Sequence, residues 1–278
     1  MTESEIYPKE IQKSINYVIF AGNIVEKARL SSILFNKKPS SDVVKDLALL
    51  QKPDGGFSYW VKNVSNITDT CYILEFFEDL KVLKGEIVDR ACKFLLDHQL
   101  NDGGWDEINA VLSYNPPKWM IPGRIETRVW LTAYCAHVLI RFGYAEAEGT
   151  YCPTDFLLVN CDSSGRLYGY LRATWLALPM LAFYPGQDPN SFNRAVKVVE
   201  DNFSSDWKGA YIAWLIRCLK DGGLPSNHKL VLKSLSELKK KQNPDGSWDP
   251  EEGEGEEHRV NATISALRAL KDYNAFKL

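Results

Sequence analysis

A seven-residue motif recurs along this chain and constrains its fold more than any other feature. The clearest copy runs from Gln99 to Trp105 and has the pattern Gln-x-x-Asp-Gly-x-Trp. The stretch 242–248 repeats this pattern in full, and the stretch 51–57 repeats it with phenylalanine in place of tryptophan. A motif that returns at a regular period indicates a repeat protein. Because the interval from 99 to 242 is about three times the interval from 51 to 99, we expect two degenerate copies between them.

The degenerate copies are expected at 162–168 and 206–209, where Asp and Gly recur without the full pattern. Apolar residues at helical spacing lie on both sides of the copies, which predicts a helix before and after each turn. The predicted helices cover 11–20, 24–35, 43–50, 71–83, 86–98, 126–142, 153–159, 171–183, 193–203, 210–219, 228–241 and 260–273. They form six helix–turn–helix units.

Two kinds of helix alternate in these units. The first helix of a pair is amphipathic: one face of helix 228–241 is predicted to hold Val231, Leu232, Leu235 and Leu238. The second, such as 126–142 or 171–183, is apolar on nearly every side, and such a helix is surrounded by protein. We therefore predict an all-α fold, an α/α toroid of about six helical hairpins with an apolar inner ring and an amphipathic outer ring, formed by residues 1–278 as a single domain.

The motif itself is suited to a structural role. Glycine supplies the positive φ of a tight turn, and aspartate can cap the segment that follows. Glutamine can bond backbone groups at the end of the amphipathic helix, while tryptophan offers a flat face for packing. We therefore expect a turn and a clamp between neighbouring units, and assign no catalysis to Asp54, Asp102 or Asp245.

Charge and composition exclude several classes of partner. The net charge is −3 and no basic run occurs, which argues against nucleic-acid binding. No stretch approaches the ~18 consecutive apolar residues of a transmembrane helix, although peripheral membrane contact stays open. The polar N-terminal stretch has no features of a signal peptide, and the six cysteines occur singly, so we expect a cytoplasmic protein with free thiols. No nucleotide cofactor is expected.

The repeated Gln-x-x-Asp-Gly-x-Trp turn between an amphipathic and an apolar helix resembles the repeat of squalene–hopene and oxidosqualene cyclases and of protein prenyltransferase β-subunits. The three good copies and two degenerate ones span about residues 41 to 273. The resemblance implies an α/α toroid whose central cavity binds an isoprenoid chain. Cyclases of this family protonate an alkene with the middle aspartate of an Asp-x-Asp-Asp motif, which this sequence lacks.

Candidate catalytic groups are therefore sought at the predicted starts of the inner helices. Asp69, in Thr68-Asp69-Thr70, is expected to be the acid that begins cyclisation. An apolar lumen would raise its pKa and keep it protonated. Glu126 is predicted to hold the equivalent place one unit later and to complete a split acid pair. The alternative for either residue is a purely structural role as a helix N-cap.

Aromatic and basic residues are the candidate substrate-binding groups. Aromatic faces stabilise carbocations and bury isoprenoid chains, although aromatics at helical spacing also fill cores. Arginines at the helix starts could bind a diphosphate together with the helix dipoles, or pair with nearby glutamates. The predicted set is Phe76, Trp130, Tyr134, Tyr170, Trp175, Tyr211, Trp214, Arg128 and Arg172.

Two other functions stay open at this point. A prenyltransferase β-subunit holds zinc through Asp-x-Cys and a distant histidine, and Asp69, Cys71 and His258 could supply such a set. Such a protein would require a protein partner, and Mg²⁺ or Zn²⁺ stays open as a cofactor. The third function is a non-catalytic toroid that binds a lipid or a protein. Because the chain is about as long as one toroid, we expect a shorter prenyl chain rather than a large polycyclisation.

Overall fold

The computed structural model describes residues 7–144 and 152–276. Its α-helices are α1 (Lys9–Ala21), α2 (Ile24–Phe35), α3 (Ser41–Ala48), α4 (Ile67–Asp79), α5 (Glu86–Asp97), α6 (Ile125–Phe142), α7 (Pro153–Val159), α8 (Leu171–Leu176), α9 (Leu178–Phe183), α10 (Ser191–Asn202), α11 (Gly209–Asp221), α12 (Lys229–Lys240) and α13 (Arg259–Asp272). In these ranges β-pairing is limited to isolated bridges such as that between Gln51 and Phe57. The predicted all-α class is confirmed.

The helices group into two compact units. The terminal unit lies within Met1–Val43 and Phe203–Leu278, and the middle unit lies within Val44–Asn202. In the terminal unit, α13 packs against α1, α2 and α11. In the middle unit, α6 packs against α4, α7 and α8. None of the helices in the two described ranges has the length and apolar character needed to cross a membrane.

The two predicted kinds of helix are both present. Every residue of α6 from Val129 to Leu139 is buried, whereas α5 buries one face that includes Val88, Cys92 and Leu95. The predicted helix 171–183 is divided into α8 and α9. Pro179 explains the division, because it has no N–H to donate to the carbonyl four residues earlier and its ring clashes there.

One helix boundary matters for the site. The predicted helix 71–83 begins at Ile67 instead, because the Asn66 side chain caps it by accepting the N–H of Asp69 at 2.7 Å. The three polar residues Thr68, Asp69 and Thr70 each look like a cap in the sequence. In the structure all three lie inside the first turn of α4 and are buried.

The three clear motif copies fold into the same turn. In each, an oxygen of the motif aspartate accepts the N–H two residues later: Gly56 to Asp54 at 3.1 Å, Gly104 to Asp102 at 3.1 Å, and Ser247 to Asp245 at 2.9 Å. The motif glycines have φ values of 96°, 86° and 92°. The turn is thus held by local contacts, as its sequence predicts.

A threonine on the following helix completes each turn, and this contact was not anticipated from the sequence. The backbone N–H of Phe57 donates to the Thr70 hydroxyl, that of Trp105 to Thr132, and that of Trp248 to Thr263, at 2.9 to 3.1 Å. The same contact joins Leu167 to Thr174 in the degenerate copy 162–168. The threonine therefore sets the register of the apolar helix against its motif.

The other expected degenerate copy, 206–209, does not form this turn. Gly209 is the first residue of α11 and is absent from the glycines with positive φ. It lies against the Trp248 ring, where an added Cβ would come within 2.6 Å of the ring. This glycine makes room for the neighbouring motif, and the chain turns at residues 205–207 between α10 and α11 without a positive-φ glycine.

The motif glutamine reaches across to the next amphipathic helix. Gln51 Nε2 donates to the Ile87 carbonyl oxygen of α5 at 2.8 Å. Gln242 Nε2 donates to the Glu10 carbonyl oxygen at 2.9 Å and to the Ser14 hydroxyl at 2.7 Å, so the last copy clamps α1. In the terminal unit, this glutamine contact therefore joins helices that are far apart in sequence. At Gln51 the same contact joins helix pairs that follow each other along the chain.

This clamp generates a prediction with an internal control. Gly246 has a φ of 92° and would place a Cβ 2.5 Å from the backbone carbon of Lys13, whereas Gly253 has a φ of 87° and nothing within 4 Å. Alanine at either position should lower the free energy of unfolding by about 1 kcal/mol, because its Cβ disfavours the left-handed backbone conformation. Only Gly246→Ala also forces α1 away, which costs about 1–3 kcal/mol more. Urea denaturation measures both losses; equal losses would contradict the importance of this contact.

Candidate functional site

The candidate site is built on the first turn of α4 in the middle unit. Asn66 caps the helix with its Oδ1, and its Nδ2 donates to Oδ2 of Asp69 at 2.8 Å. Asp69 is therefore the third residue of the helix and not its cap. The structure therefore excludes the alternative that Asp69 is a helix N-cap, although the run of polar residues in the sequence favoured it.

The backbone that follows the first motif passes over this turn. The N–H of Tyr59 donates to Asp69 Oδ2 at 2.6 Å, and the N–H of Val61 donates to the same oxygen at 3.2 Å. Together with Asn66, three donors converge on one oxygen. The other oxygen, Oδ1, is buried and has no hydrogen-bond partner among the described residues.

The environment favours the neutral form of Asp69. Its side chain is fully buried, and burial raises the pKa of this carboxyl group above its usual value, while the hydrogen bonds from Tyr59 and Asn66 lower it in part. Water can hydrate the oxygen of an exposed, ionised carboxylate. A buried carboxylate oxygen instead needs a hydrogen-bond donor from the protein. A proton on Oδ1 removes the negative charge from the oxygen that has no donor. Burial and the hydrogen bonds to Oδ2 alone therefore favour the carboxylic acid form.

An aromatic cluster lies beside this acid. Tyr59 contacts Trp60, Tyr72 and Phe76 with ring centroids 5.3, 5.4 and 6.0 Å apart, and Tyr72 lies 4.9 Å from Phe76. Only Phe76 was predicted as a site residue. Tyr72 could have been found from its place on α4, whereas Tyr59 and Trp60 lie outside every predicted helix. We call these four residues the acid-side cluster.

The predicted residues Trp130 and Tyr134 form a second aromatic group with Trp119. The Trp130 centroid lies 5.2 Å from Trp119 and 5.6 Å from Tyr134. The Trp130 indole nitrogen is buried and has no hydrogen-bond partner among the described residues. Trp119 belongs to the stretch 109–123, an insertion between the second motif copy and α6. Its three prolines predict a loop, and it contains two short 3-10 helices.

This insertion packs onto the backbone that holds the acid. Val111 and Met120 are fully buried in one apolar cluster with Val61, whose N–H bonds Asp69. Trp119 packs against the same cluster. The insertion therefore connects the second aromatic group to the segment around Asp69.

Glu107 is a site residue that sequence reasoning missed. Its Oε1 accepts the N–H groups of Ile67 and Ile108 at 2.8 and 2.9 Å. Its Oε2 accepts the N–H and the hydroxyl of Thr68 at 3.1 and 2.6 Å. The side chain is 4% exposed, and burial raises the pKa of Glu107 to about 7. Nothing in the local sequence signals a contact between residues forty positions apart.

Glu126 does not occupy the place of Asp69. It is the second residue of α6, is partly exposed, and lies 3.6 Å from Arg124 in an ion pair. The threonines that receive the motif N–H, Thr70 and Thr132, align Asp69 with Leu131 instead. The equivalence behind the predicted acid pair was therefore wrong.

The two predicted arginines differ in their surroundings. Arg128 donates to both oxygens of the motif residue Asp102 at 2.7 and 2.9 Å and lies 4.7 Å from the Phe156 ring centroid. It supports the second motif copy. Arg172 is half-buried in α8. Their predicted role in binding an anionic group stays a prediction.

The remaining predicted aromatics are distributed over both units. Tyr170 is half-buried at the N-cap of α8, and Trp175 is fully buried in the same helix. In the terminal unit, Tyr211 contacts Trp207 at 5.0 Å, and Trp214 is half-buried in α11. Their predicted contact with substrate stays a prediction.

The alternative zinc set is not assembled. In the described ranges, no group of three or more His, Cys, Asp or Glu side chains could hold a metal ion. The Cys71 sulfur lies 3.6 Å from the Cys135 sulfur, and His258 Nε2 lies 3.6 Å from Glu257. Asp69, Cys71 and His258 therefore do not form the predicted ligand set.

Comparison with known proteins supports the fold. No protein-family profile and no curated protein matches the sequence. The type II terpene cyclase MstE from Scytonema shares 17% identity at a TM-score of 0.64, covering 96% of this chain and 98% of that one. An MstE variant bound to its substrate, geranylgeranyl dihydroxybenzoate, shares 16% identity at a TM-score of 0.63, covering 96% and 97%. A protein from Actinoplanes matches at a TM-score of 0.63 and 16% identity, covering 95% and 98%. These likenesses confirm the predicted fold class.

The raised pKa of Asp69 predicts how stability depends on pH. Because the native pKa lies above that of the unfolded chain, the native state binds more protons, and this contribution is lost as pH rises through the native pKa. Asp69→Asn cannot ionise. We expect it to gain stability relative to the wild type as the pH rises from the pKa of the unfolded chain to the native pKa, by about 1.4 kcal/mol per unit of pKa shift. Urea unfolding at constant ionic strength measures the difference.

Asp162→Asn is the matched control. The Ser164 hydroxyl lowers the pKa of Asp162, so the sign of its pH dependence is reversed. This variant should lose stability relative to the wild type as pH rises. A constant difference for Asp69→Asn would show that Asp69 is not held in its neutral form.

Proposed function

We propose that this protein is a terpene cyclase-like enzyme that converts an isoprenoid substrate by acid-initiated cyclisation, with Asp69 as the acid. One observation carries the proposal: three N–H donors converge on Oδ2 of Asp69, while Oδ1 is buried without a partner in the described structure. The likeness in fold to a type II terpene cyclase supports the same reaction class.

The donors favour proton transfer from Oδ1. When the Oδ1–H bond breaks, a C–H bond forms at one alkene carbon and the other carbon becomes cationic. The negative charge left on Asp69 is shared with Oδ2, which already accepts three hydrogen bonds. Preorganised donors of this kind stabilise developing charge without rearrangement. Burial favours the neutral form of Asp69 before the reaction, and the three hydrogen-bond donors stabilise the carboxylate that remains after proton transfer.

Aromatic rings supply the second requirement of such a reaction. The acid-side cluster brings four aromatic rings together on the two segments that hold the acid, residues 59–61 and α4. Ring faces attract a cation by about 0.5–2 kcal/mol each, more when water is absent. The cluster also offers apolar surface to the neutral substrate. The substrate implied is an apolar small molecule with an isoprenoid chain.

Turnover assays test the acid role directly. The protein is incubated with geranyl, farnesyl and geranylgeranyl diphosphates, squalene and geranylgeranyl dihydroxybenzoate, with and without Mg²⁺ or Zn²⁺, and products are identified by mass spectrometry. Asp69→Asn preserves shape but cannot donate this proton, so turnover should fall by about 10³-fold or more, within the range lost when an essential acid is removed. Cyclised product at the wild-type rate from Asp69→Asn would exclude the proposal.

Asp97→Asn is the control for this assay. Asp97 lies at the end of α5, is exposed and pairs with Lys93, so its replacement should leave turnover unchanged. Glu126→Gln tests the original acid pair in the same experiment. Because Glu126 is partly exposed and paired with Arg124, we expect a much smaller loss than for Asp69→Asn.

Tyr72 tests whether the cluster stabilises a cation. Tyr72→Leu keeps apolar bulk but removes the ring face, so kcat should fall by about 10-fold, equivalent to about 1.4 kcal/mol, with little change in KM. Tyr72→Phe retains the ring and should lose less than about threefold. Steady-state kinetics separate the two parameters. Equal kcat values for Tyr72→Leu and Tyr72→Phe would show that the ring acts only by packing.

A further inference from the structure

Two buried carboxyl groups share the first turn of α4. Glu107 binds the N–H groups of Ile67 and Thr68, the first two residues of the helix, while Asp69 is the third. Asp69 and Glu107 are 0% and 4% exposed. Neither forms an ion pair within the described ranges. A negative charge on one of two buried carboxyl groups at the same helix start disfavours ionisation of the other.

The hydrogen-bond donors distinguish the two groups. Both oxygens of Glu107 accept two donors each, which leaves no free position for a proton and suits a carboxylate. The hydrogen bonds from Tyr59, Val61 and Asn66 all end on Oδ2 of Asp69, and Oδ1 has no partner in the described structure. A proton on Oδ1 of Asp69 displaces no hydrogen bond, whereas a proton on Glu107 would face a donor at either oxygen.

We propose that Glu107 is a positioning residue for Asp69, and that the two carboxyl groups hold one proton between them, which resides on Oδ1 of Asp69. This proposal rests on the acid role proposed for Asp69. Glu107 fixes the turn that carries the acid, and its negative charge opposes ionisation of Asp69. In a coupled pair the two titration steps belong to the pair, and the donors determine where the shared proton resides.

Other ionisable groups near the pair do not supply a compensating charge. Those on the surrounding segments are Tyr59, Lys62, Cys71, Glu75, Asp106 and Cys135. Burial and Cys135 raise the pKa of the Cys71 thiol, and the charge of Glu107 contributes to that rise, so Cys71 stays neutral. Asp106 accepts the N–H groups of Glu107 and Gly123, and Lys62 is exposed.

Burial raises the pKa of both groups, so the last proton of the pair leaves at a higher pH than the proton of an exposed carboxyl group. Infrared spectroscopy detects a protonated buried carboxyl group by its C=O stretch. As the pH is raised, the last such band to disappear from the wild type should be absent from Asp69→Asn and present in Glu107→Gln. In Glu107→Gln the band should titrate at least about one pH unit lower, because the like charge is gone. A band that persists in Asp69→Asn and disappears in Glu107→Gln would place the proton on Glu107 and overturn the proposal.

Isotope labelling of the wild type keeps the test decisive if a variant does not fold. Side-chain ¹³C-aspartate should shift the protonated band, whereas side-chain ¹³C-glutamate should leave it in place. The reverse pattern contradicts the proposal. Thermal unfolding and circular dichroism verify the fold of each variant before its spectrum is interpreted.

The pH profile of turnover adds a measurement that a purely structural role would not change. Loss of the Glu107 charge should move the alkaline limb of kcat/KM to lower pH by at least about one unit, whereas a structural defect lowers the rate equally at every pH. An unshifted limb overturns the positioning role. If no substrate is turned over, the proposed function fails, and the infrared measurement still decides where the proton resides.

Discussion

The structure depends on the close approach of a glycine backbone to the next amphipathic helix. An added Cβ at Gly55 would lie 2.6 Å from the Arg90 carbonyl oxygen, and at Gly246 it would lie 2.5 Å from Lys13. Only glycine tolerates both this contact and a positive φ. The aspartate of the turn holds the next N–H, and a threonine of the apolar helix takes the N–H that follows. Each apolar helix is thereby fixed against the turn that precedes it.

The acid site follows from this arrangement. The first turn directs residues 59–61 over the start of α4, where two of their N–H groups meet Asp69. Burying an ionised carboxylate is costly, and donors on a single oxygen compensate only in part. The fold therefore favours the neutral form of Asp69, and the hydrogen bonds to Oδ2 already stabilise its carboxylate in part. If Asp69 is the acid proposed above, stability and reactivity depend on the same three hydrogen bonds.

Helical periodicity was sufficient to predict the all-α class, because this signal is local. The start of α4 was predicted too late, since Asn66 precedes three other residues that also make good caps. Glu107 could not be predicted, because its partners Ile67 and Thr68 lie forty positions away and leave no periodic trace. Tyr59 and Trp60 escaped notice because they lie in an irregular segment. Arg128 looked available for an anion, whereas the structure shows it bound to Asp102.

The clamp between Gln242 and α1 has a consequence for the order of folding. Ser14 donates to the Gly246 carbonyl oxygen across 232 positions, and Arg29 donates to Asn261 across the same separation. During synthesis α1 and α2 leave the ribosome long before α12 and α13, so they must wait for their partners with apolar faces uncovered. Contacts of such long range are entropically expensive to form early. The middle unit, whose helices contact near neighbours in sequence, can assemble first and leave the terminal unit to form when the last helices emerge.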